Sequence, residues 1–148
     1  MEDAASMRQA KEMLAVNKKG RILVVDDEPS VRELLNKVLQ EMGHSVDVVS
    51  DAGLAMQIIY AGTIYDLILA DIRMPGMNGV DLCTLILSQM PEMQNRIIVI
   101  TGDVMGADIK EFLEIHKLAY IPKPFDIKVL KEQVQAVVNS VGSLNNSP

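Results

Sequence analysis

The chain has 148 residues, 49% of them hydrophobic, which suffices for one domain with a substantial core. Twenty acidic residues against 14 basic ones leave a net charge of −6, and this excludes the basic footprint of a nucleic-acid binder. A single cysteine excludes an internal disulfide framework and any CxxC metal or redox motif.

Residues 1–19 stand apart from the rest of the chain. Met7, Ala10 and Leu14 fall at helical spacing, and Asn17-Lys18-Lys19-Gly20 reads as a helix end and linker, so an N-terminal extension, helical or mobile, is expected ahead of a domain spanning 20–142. The segment lacks the apolar centre of a secretory signal, and no apolar run in the chain approaches the roughly 20 residues of a membrane span. A soluble cytoplasmic protein with no membrane insertion is expected.

Ile22-Leu23-Val24-Val25 is the first of several short apolar runs of the kind that form strands buried on both faces. It ends on Asp26-Asp27-Glu28. Pro29 then suits a first helical position, and Val31, Leu34, Leu35, Val38, Leu39 and Met42 line one helical face before Gly43 stops it. Ser45–Ser50 alternates as a second strand, and Ala52–Ala61 reads as a helix closed by Gly62. Leu67-Ile68-Leu69-Ala70 is a third strand ending on Asp71. Val80, Cys83, Ile86, Leu87 and Met90 give a third helix, ended by Pro91. Ile97-Ile98-Val99-Ile100 runs into Thr101-Gly102, and Ile109, Phe112 and Leu113 mark a shorter fourth helix with Gly106 near its start. Ala119-Tyr120-Ile121 leads through Pro122 to Lys123-Pro124-Phe125. Asp126 then caps a last helix carrying Ile127, Leu130, Val134, Val137, Val138 and Val141. Residues 143–148 read as a disordered tail.

Five strands alternating with five helices specify a parallel sheet covered on both faces. Right-handed crossovers leave the strand order 2-1-3-4-5 as the common solution, a flavodoxin-like, doubly wound (βα)5 three-layer sandwich. Ligands in such sheets bind outside the carboxyl ends of the strands. That edge collects Asp26, Asp27, Asp71, Thr101 and Lys123, an acidic pocket fit for a hard divalent cation with an ammonium as counter-charge. Each residue alone has an ordinary explanation: the acids as caps of the first helix, Thr101 as a strand-end hydroxyl, Lys123 as a solvated loop lysine, Tyr120 as core packing. Cys83 and the methionines read as core, and His44 and His116 as surface residues.

Asp71-Ile72-Arg73-Met74-Pro75-Gly76-Met77-Asn78-Gly79, with a type II turn expected at Pro75-Gly76, joins the acidic pair, Thr101-Gly102 and Lys123-Pro124-Phe125 in a four-part set. In order and approximate spacing the set resembles the receiver domains of two-component response regulators. The resemblance implies that Asp71 accepts a phosphoryl group from a histidine kinase or histidine phosphotransfer protein. It implies that Asp26, Asp27, Asp71 and the backbone carbonyl of Arg73 hold Mg²⁺ (or Mn²⁺), and that Thr101, Gly102 and Lys123 bind the phosphoryl oxygens. Thr101 and Tyr120 would form a switch altering the face made by the fourth helix, fifth strand and fifth helix, which a downstream protein or a second copy would read. Arg73 and Asp103, each two residues beyond a site residue, are expected to face each other at the pocket mouth and set the phosphate lifetime.

Such a protein catalyses only its own phosphorylation and dephosphorylation. It would stand alone or come from a longer chain such as a hybrid histidine kinase. Two other functions compete. A Mg²⁺-dependent aspartyl phosphohydrolase would carry its nucleophile after the first strand with a second Asp two residues on, an arrangement that Asp26-Asp27-Glu28-Pro29 lacks. A degenerate receiver serving only as an interaction module would have lost one of the matched positions, and all are intact.

Overall fold

The sheet is built from five parallel strands, β1 (Arg21–Val25), β2 (Ser45–Val49), β3 (Leu67–Asp71), β4 (Ile97–Thr101) and β5 (Ala119–Pro122), in the order β2-β1-β3-β4-β5. The computed structural model describes residues 18–74, 76–102 and 106–145. Every residue of β3 and β4 is buried, which is why those runs carry no polar alternation. β2 lies at the sheet edge and is only partly covered, so its alternating pattern survives.

The helices are α1 (Pro29–Glu41), α2 (Ala52–Tyr60), α3 (Gly79–Gln89), α4 (Ala107–His116) and α5 (Ile127–Asn145). Successive strand residues point to opposite faces. Ile22 and Val24 therefore pack with Leu69, Ile98 and Ile100 against Leu35 and Leu39 of α1 and Leu130 and Val134 of α5. Leu23, Val25, Ile68 and Val99 face the other way, against Ala55 and Met56 of α2, Leu82, Cys83 and Ile86 of α3, and Leu113 of α4. The expected three-layer sandwich and strand order are found.

Local signals explain most boundaries. Pro29 opens α1, and Gly43 and Gly62 stop α1 and α2 with φ of 95° and 98°. Asp51 and Asn78 cap α2 and α3 by accepting the amide protons of Leu54 and Asp81, and Asp126 caps α5 through Lys128 and Val129. Gly76, at φ 76°, has the backbone that the expected turn requires, while its neighbour Pro75 lies outside the described residues.

The structure differs from the sequence reading at residue 143 and at His44, adds a turn after the third helix, and leaves the reading of residues 1–17 outside the described region. The extension assigned to 1–19 enters the described region only at Lys18, and its helical reading lies outside it. α3 ends at Gln89, ahead of Pro91 as expected, and a 3-10 turn, Pro91–Asn95, comes next and buries Met93. α5 continues through Gly142 to Asn145 where a tail was expected from 143, since one glycine weakens a helix by only about 1 kcal/mol and no proline interrupts; 146–148 lie outside the described residues. His44 is buried rather than surface, because its Nδ1 accepts the Gly20 amide proton at 3.1 Å as the chain enters β1.

Candidate functional site

Strand register assembles the site before any side chain is considered. Val25 pairs with Ala70, so Asp26 follows β1 level with Asp71 at the end of β3. Asp71 pairs with Ile100, which places Thr101 one step further along β4. Thr101 pairs with Pro122, and the Lys123 amide extends that ladder by donating to the Thr101 carbonyl at 2.7 Å.

Asp71 is held by the element that comes after it. α3 begins so close to β3 that a Cβ on Gly79 would overlap the Asp71 carbonyl oxygen and the Ile72 Cα, and the Gly79 amide donates to the Ile72 carbonyl at 3.0 Å. Only glycine fits this approach, a positioning role the motif itself does not assign to it. The Asp71 carboxylate is turned by the Arg73 amide, which donates to Oδ1 at 3.1 Å. Asp26 is fixed in the same way, with Oδ1 accepting from the Glu28 amide at 2.9 Å. Each buried acid thus spends one oxygen on backbone and presents the other to the pocket.

Lys123 Nζ lies at the meeting point, 3.2 Å from Asp26 Oδ2, 3.2 Å from Asp71 Oδ2 and 3.1 Å from Glu28 Oε1. Burial pushes the carboxyls of Asp26 and Asp71 above the usual carboxylate range, only partly offset by the backbone bonds and the Lys123 ammonium. Burial alone would lower Lys123, but its hydrogen bond to Glu28 and the charges of Asp71 and Asp26 outweigh it and hold the ammonium well above its ordinary value.

Glu28 stands in the acidic run with no role implied by the motifs, yet it belongs to the site. It sits at the N-cap of α1, but its side chain accepts no capping hydrogen bond and turns to Lys123 instead. The explanation of these acids as helix caps therefore fails for α1. A surplus signal was present: three consecutive acids where two suffice for a cation.

Asp27, Glu28, Asp71, Arg73, Gly102 and Lys123 line a depression of about 280 Å³. One oxygen from each of Asp26, Asp27, Glu28 and Asp71 can be chosen so that all lie within 4.8 Å of one another. Asp26 Oδ2 is buried with no aligned hydrogen bond, and the Lys123 ammonium lies 3.2 Å from it. Hard carboxylate oxygens, one of them short of a donor, fit a small divalent cation.

The remaining predicted residues are placed less centrally. Thr101 is buried at the end of β4, and Gly102 rather than its side chain lines the depression. Tyr120 is 44% exposed and is not core packing; it borders a groove with Lys110, Leu113, Glu114 and Leu118. Asp103, expected opposite Arg73, lies outside the described residues. Cys83 is fully buried in the core, and burial pushes its thiol up to about 12. No helix among the described residues is long and apolar enough to cross a membrane.

Residues 22–135 match the family described as response regulator receiver domain. Among curated proteins, the DNA-binding response regulator MtrA of Mycolicibacterium smegmatis is 36% identical over 118 residues, 78% of this chain and 49% of that protein. The DNA-binding transcriptional regulator NtrC of Azospirillum brasilense is 34% identical over 119 residues, but the chain spans only 24% of its length. Chemotaxis protein CheY-3 of Vibrio cholerae is 30% identical over 123 residues, 82% of this chain and 94% of that one. A solved CheY-like response regulator receiver domain protein from Methanospirillum hungatei superposes with a TM-score of 0.77 at 26% identity, covering 86% of this chain and 99% of that structure.

Proposed function

The chain belongs to the response regulator receiver domain family, and from that premise we propose that Asp71 is its phosphoacceptor, charged by a phosphohistidine on a histidine kinase or histidine phosphotransfer protein. The observation that supports this most is the convergence on one buried carboxylate, Asp71, of a fixed ammonium and a set of cation-binding oxygens. One carboxylate oxygen of Asp71 attacks phosphorus, an O–P bond forms, and the P–N bond to the donor imidazole breaks with its electron pair left on that nitrogen. Asp26, Asp27, Asp71 and the backbone carbonyl of Arg73 would hold Mg²⁺ (or Mn²⁺). When bound, this ion supplies the charge that offsets repulsion between a carboxylate and an anionic phosphoryl group.

Lys123 pairs with a phosphoryl oxygen, and Thr101 and Gly102 donate to the others. Arg73, at the rim of the depression, governs approach of the water that later hydrolyses the acyl phosphate, with Asp103 as its expected partner. The new phosphoryl group carries roughly −1.5 to −2 charges. Thr101 turns toward it, and the exposed Tyr120 moves inward. The face of α4, β5 and α5 is thereby reshaped for a downstream protein or a second copy. The groove that Tyr120 shares with Lys110, Leu113 and Glu114 lies on that face and supports this reading. The protein works in the cytoplasm as a signalling phosphoacceptor, without nucleic-acid contact of its own.

Incubation with Mg²⁺ and a small acyl-phosphate donor, followed by mass spectrometry, tests the proposal. One phosphoryl group is expected on Asp71, and none on the Asp71→Asn variant. Equal labelling of that variant refutes the assignment.

A further inference from the structure

The three carboxylates around Lys123 are not equivalent. The Asp26 and Asp71 side chains are 0% and 4% exposed and each is tied to backbone, whereas that of Glu28 is 56% exposed and spends its hydrogen bond on Lys123 alone. Asp26 and Asp71 are fixed features of the pocket; Glu28 can swing into solvent without leaving a buried group unsatisfied. Lys123 has three donor hydrogens and faces three carboxylate oxygens at 3.1–3.2 Å. Two of those donors are committed in hydrogen bonds to Glu28 and Asp71 before any phosphoryl group arrives, while Asp26 meets the ammonium as an ion pair without an aligned hydrogen bond.

We propose that Glu28 is a positioning residue that tethers the Lys123 ammonium and must release a share of it when Asp71 is phosphorylated. Its carboxylate thus favours cation binding and opposes retention of the phosphoryl group. This rests on Asp71 being the phosphoacceptor.

Two physical effects of the Glu28 charge have opposite signs. Among oxygens within 4.8 Å of one another, an added negative charge strengthens a divalent cation. The same charge repels a phosphoryl group and competes with it for Lys123. Because Glu28 is solvated, each effect is limited to about a fivefold change in an equilibrium constant, the ceiling for an exposed ion pair. A residue that merely supports the pocket would, on removal, weaken both ligands together.

The experiment measures two dissociation constants on the whole chain: Mg²⁺ alone by calorimetry, and beryllofluoride at saturating Mg²⁺ by backbone amide shifts around Gly102. Glu28→Gln keeps size and loses charge; it is expected to weaken Mg²⁺ about two- to fivefold and to tighten beryllofluoride by a similar factor. Glu28→Asp keeps the charge but is one methylene shorter. It is expected to leave Mg²⁺ within about twofold while still tightening beryllofluoride, because the tether no longer reaches. Beryllofluoride affinity unchanged or weakened in both variants overturns the inference. If the unsubstituted protein binds no beryllofluoride in Mg²⁺, the phosphoacceptor reading falls and the inference falls with it.

Discussion

Replacing Lys123 by Met tests how the site is held in the absence of a cation. The change keeps most of the aliphatic stem and removes only the charge. At an effective dielectric of about 20, each of its 3.1–3.2 Å contacts has a gross Coulomb energy of about 5 kcal/mol. Little of the Glu28 contact survives as net stability, since that carboxylate is more than half exposed and is worth at most about 1 kcal/mol. Asp26 and Asp71 are different: they are buried, already strained by burial, and would be left facing each other without a counter-charge. Removing one partner from a buried ion pair costs about 3–5 kcal/mol. Lys123 keeps 17% exposure, so water partly reaches the gap, and the lower figure applies. A loss of about 3 kcal/mol corresponds to a fall in Tm of about 10 °C for a domain of this size. The assay is thermal unfolding followed by circular dichroism in chelator. The same melt with Mg²⁺ is the internal control, because a cation on those oxygens restores what the ammonium supplied. The variant should therefore gain more from Mg²⁺ than the unsubstituted protein does. A variant that melts within about 2 °C of the parent in chelator refutes the argument that Lys123 holds these acids together.

Three other outcomes are expected. Asp27→Ala should weaken Mg²⁺ at least tenfold with little change in Tm, because Asp27 is exposed at the rim of the depression and its carboxylate is one of the proposed ligands; unchanged affinity by calorimetry moves the cation elsewhere. Arg73→Ala should change the lifetime of the Asp71 phosphate severalfold with little change in melting temperature, and equal decay rates in Mg²⁺ refute its role at the mouth of the pocket. Burial, aided by the Lys19 ammonium, holds His44 below its ordinary value of 6.5. The unfolded chain then takes up the proton first, so stability is complete above about pH 6.5 and falls as the pH drops below it. His44→Asn, whose amide oxygen can accept the Gly20 proton, should flatten that fall, and an unchanged acid slope of Tm refutes it.

The sheet was legible because its central strands are covered on both faces. Leu67–Asp71 and Ile97–Thr101 are buried throughout, and a strand with two dry faces has nowhere to place a polar residue except its end. Parallel topology then carries all strand ends to one edge, so reading where the apolar runs stop was enough to bring Asp26, Asp71, Thr101 and Lys123 together. What sequence pattern supplies is a face and a level, not the direction of a side chain within it. Tyr120 was placed correctly on β5, but its 44% exposure depends on how α4 packs beside it. His44 looked like a surface residue at the end of a helix; it is buried because the chain entering β1 needs an acceptor for the Gly20 amide, and that need comes from residues 24 positions away.

Glu28 shows where legibility ends and what could extend it. Its position suits a helix cap, and its partner Lys123 is 95 residues distant. No local rule distinguishes the two uses of one carboxylate. A charge balance at the sheet edge narrows the choice: one ammonium set against two buried acids can serve a third carboxylate, and of the two unburied acids on the adjoining loop, Asp27 and Glu28, the structure pairs it with Glu28. A long, rotatable, half-exposed side chain in that place binds without being locked. Asp26 and Asp71, each pinned by a backbone amide, define the pocket, and Glu28 is the acid there whose ion pair with Lys123 can open at no cost in buried polar groups.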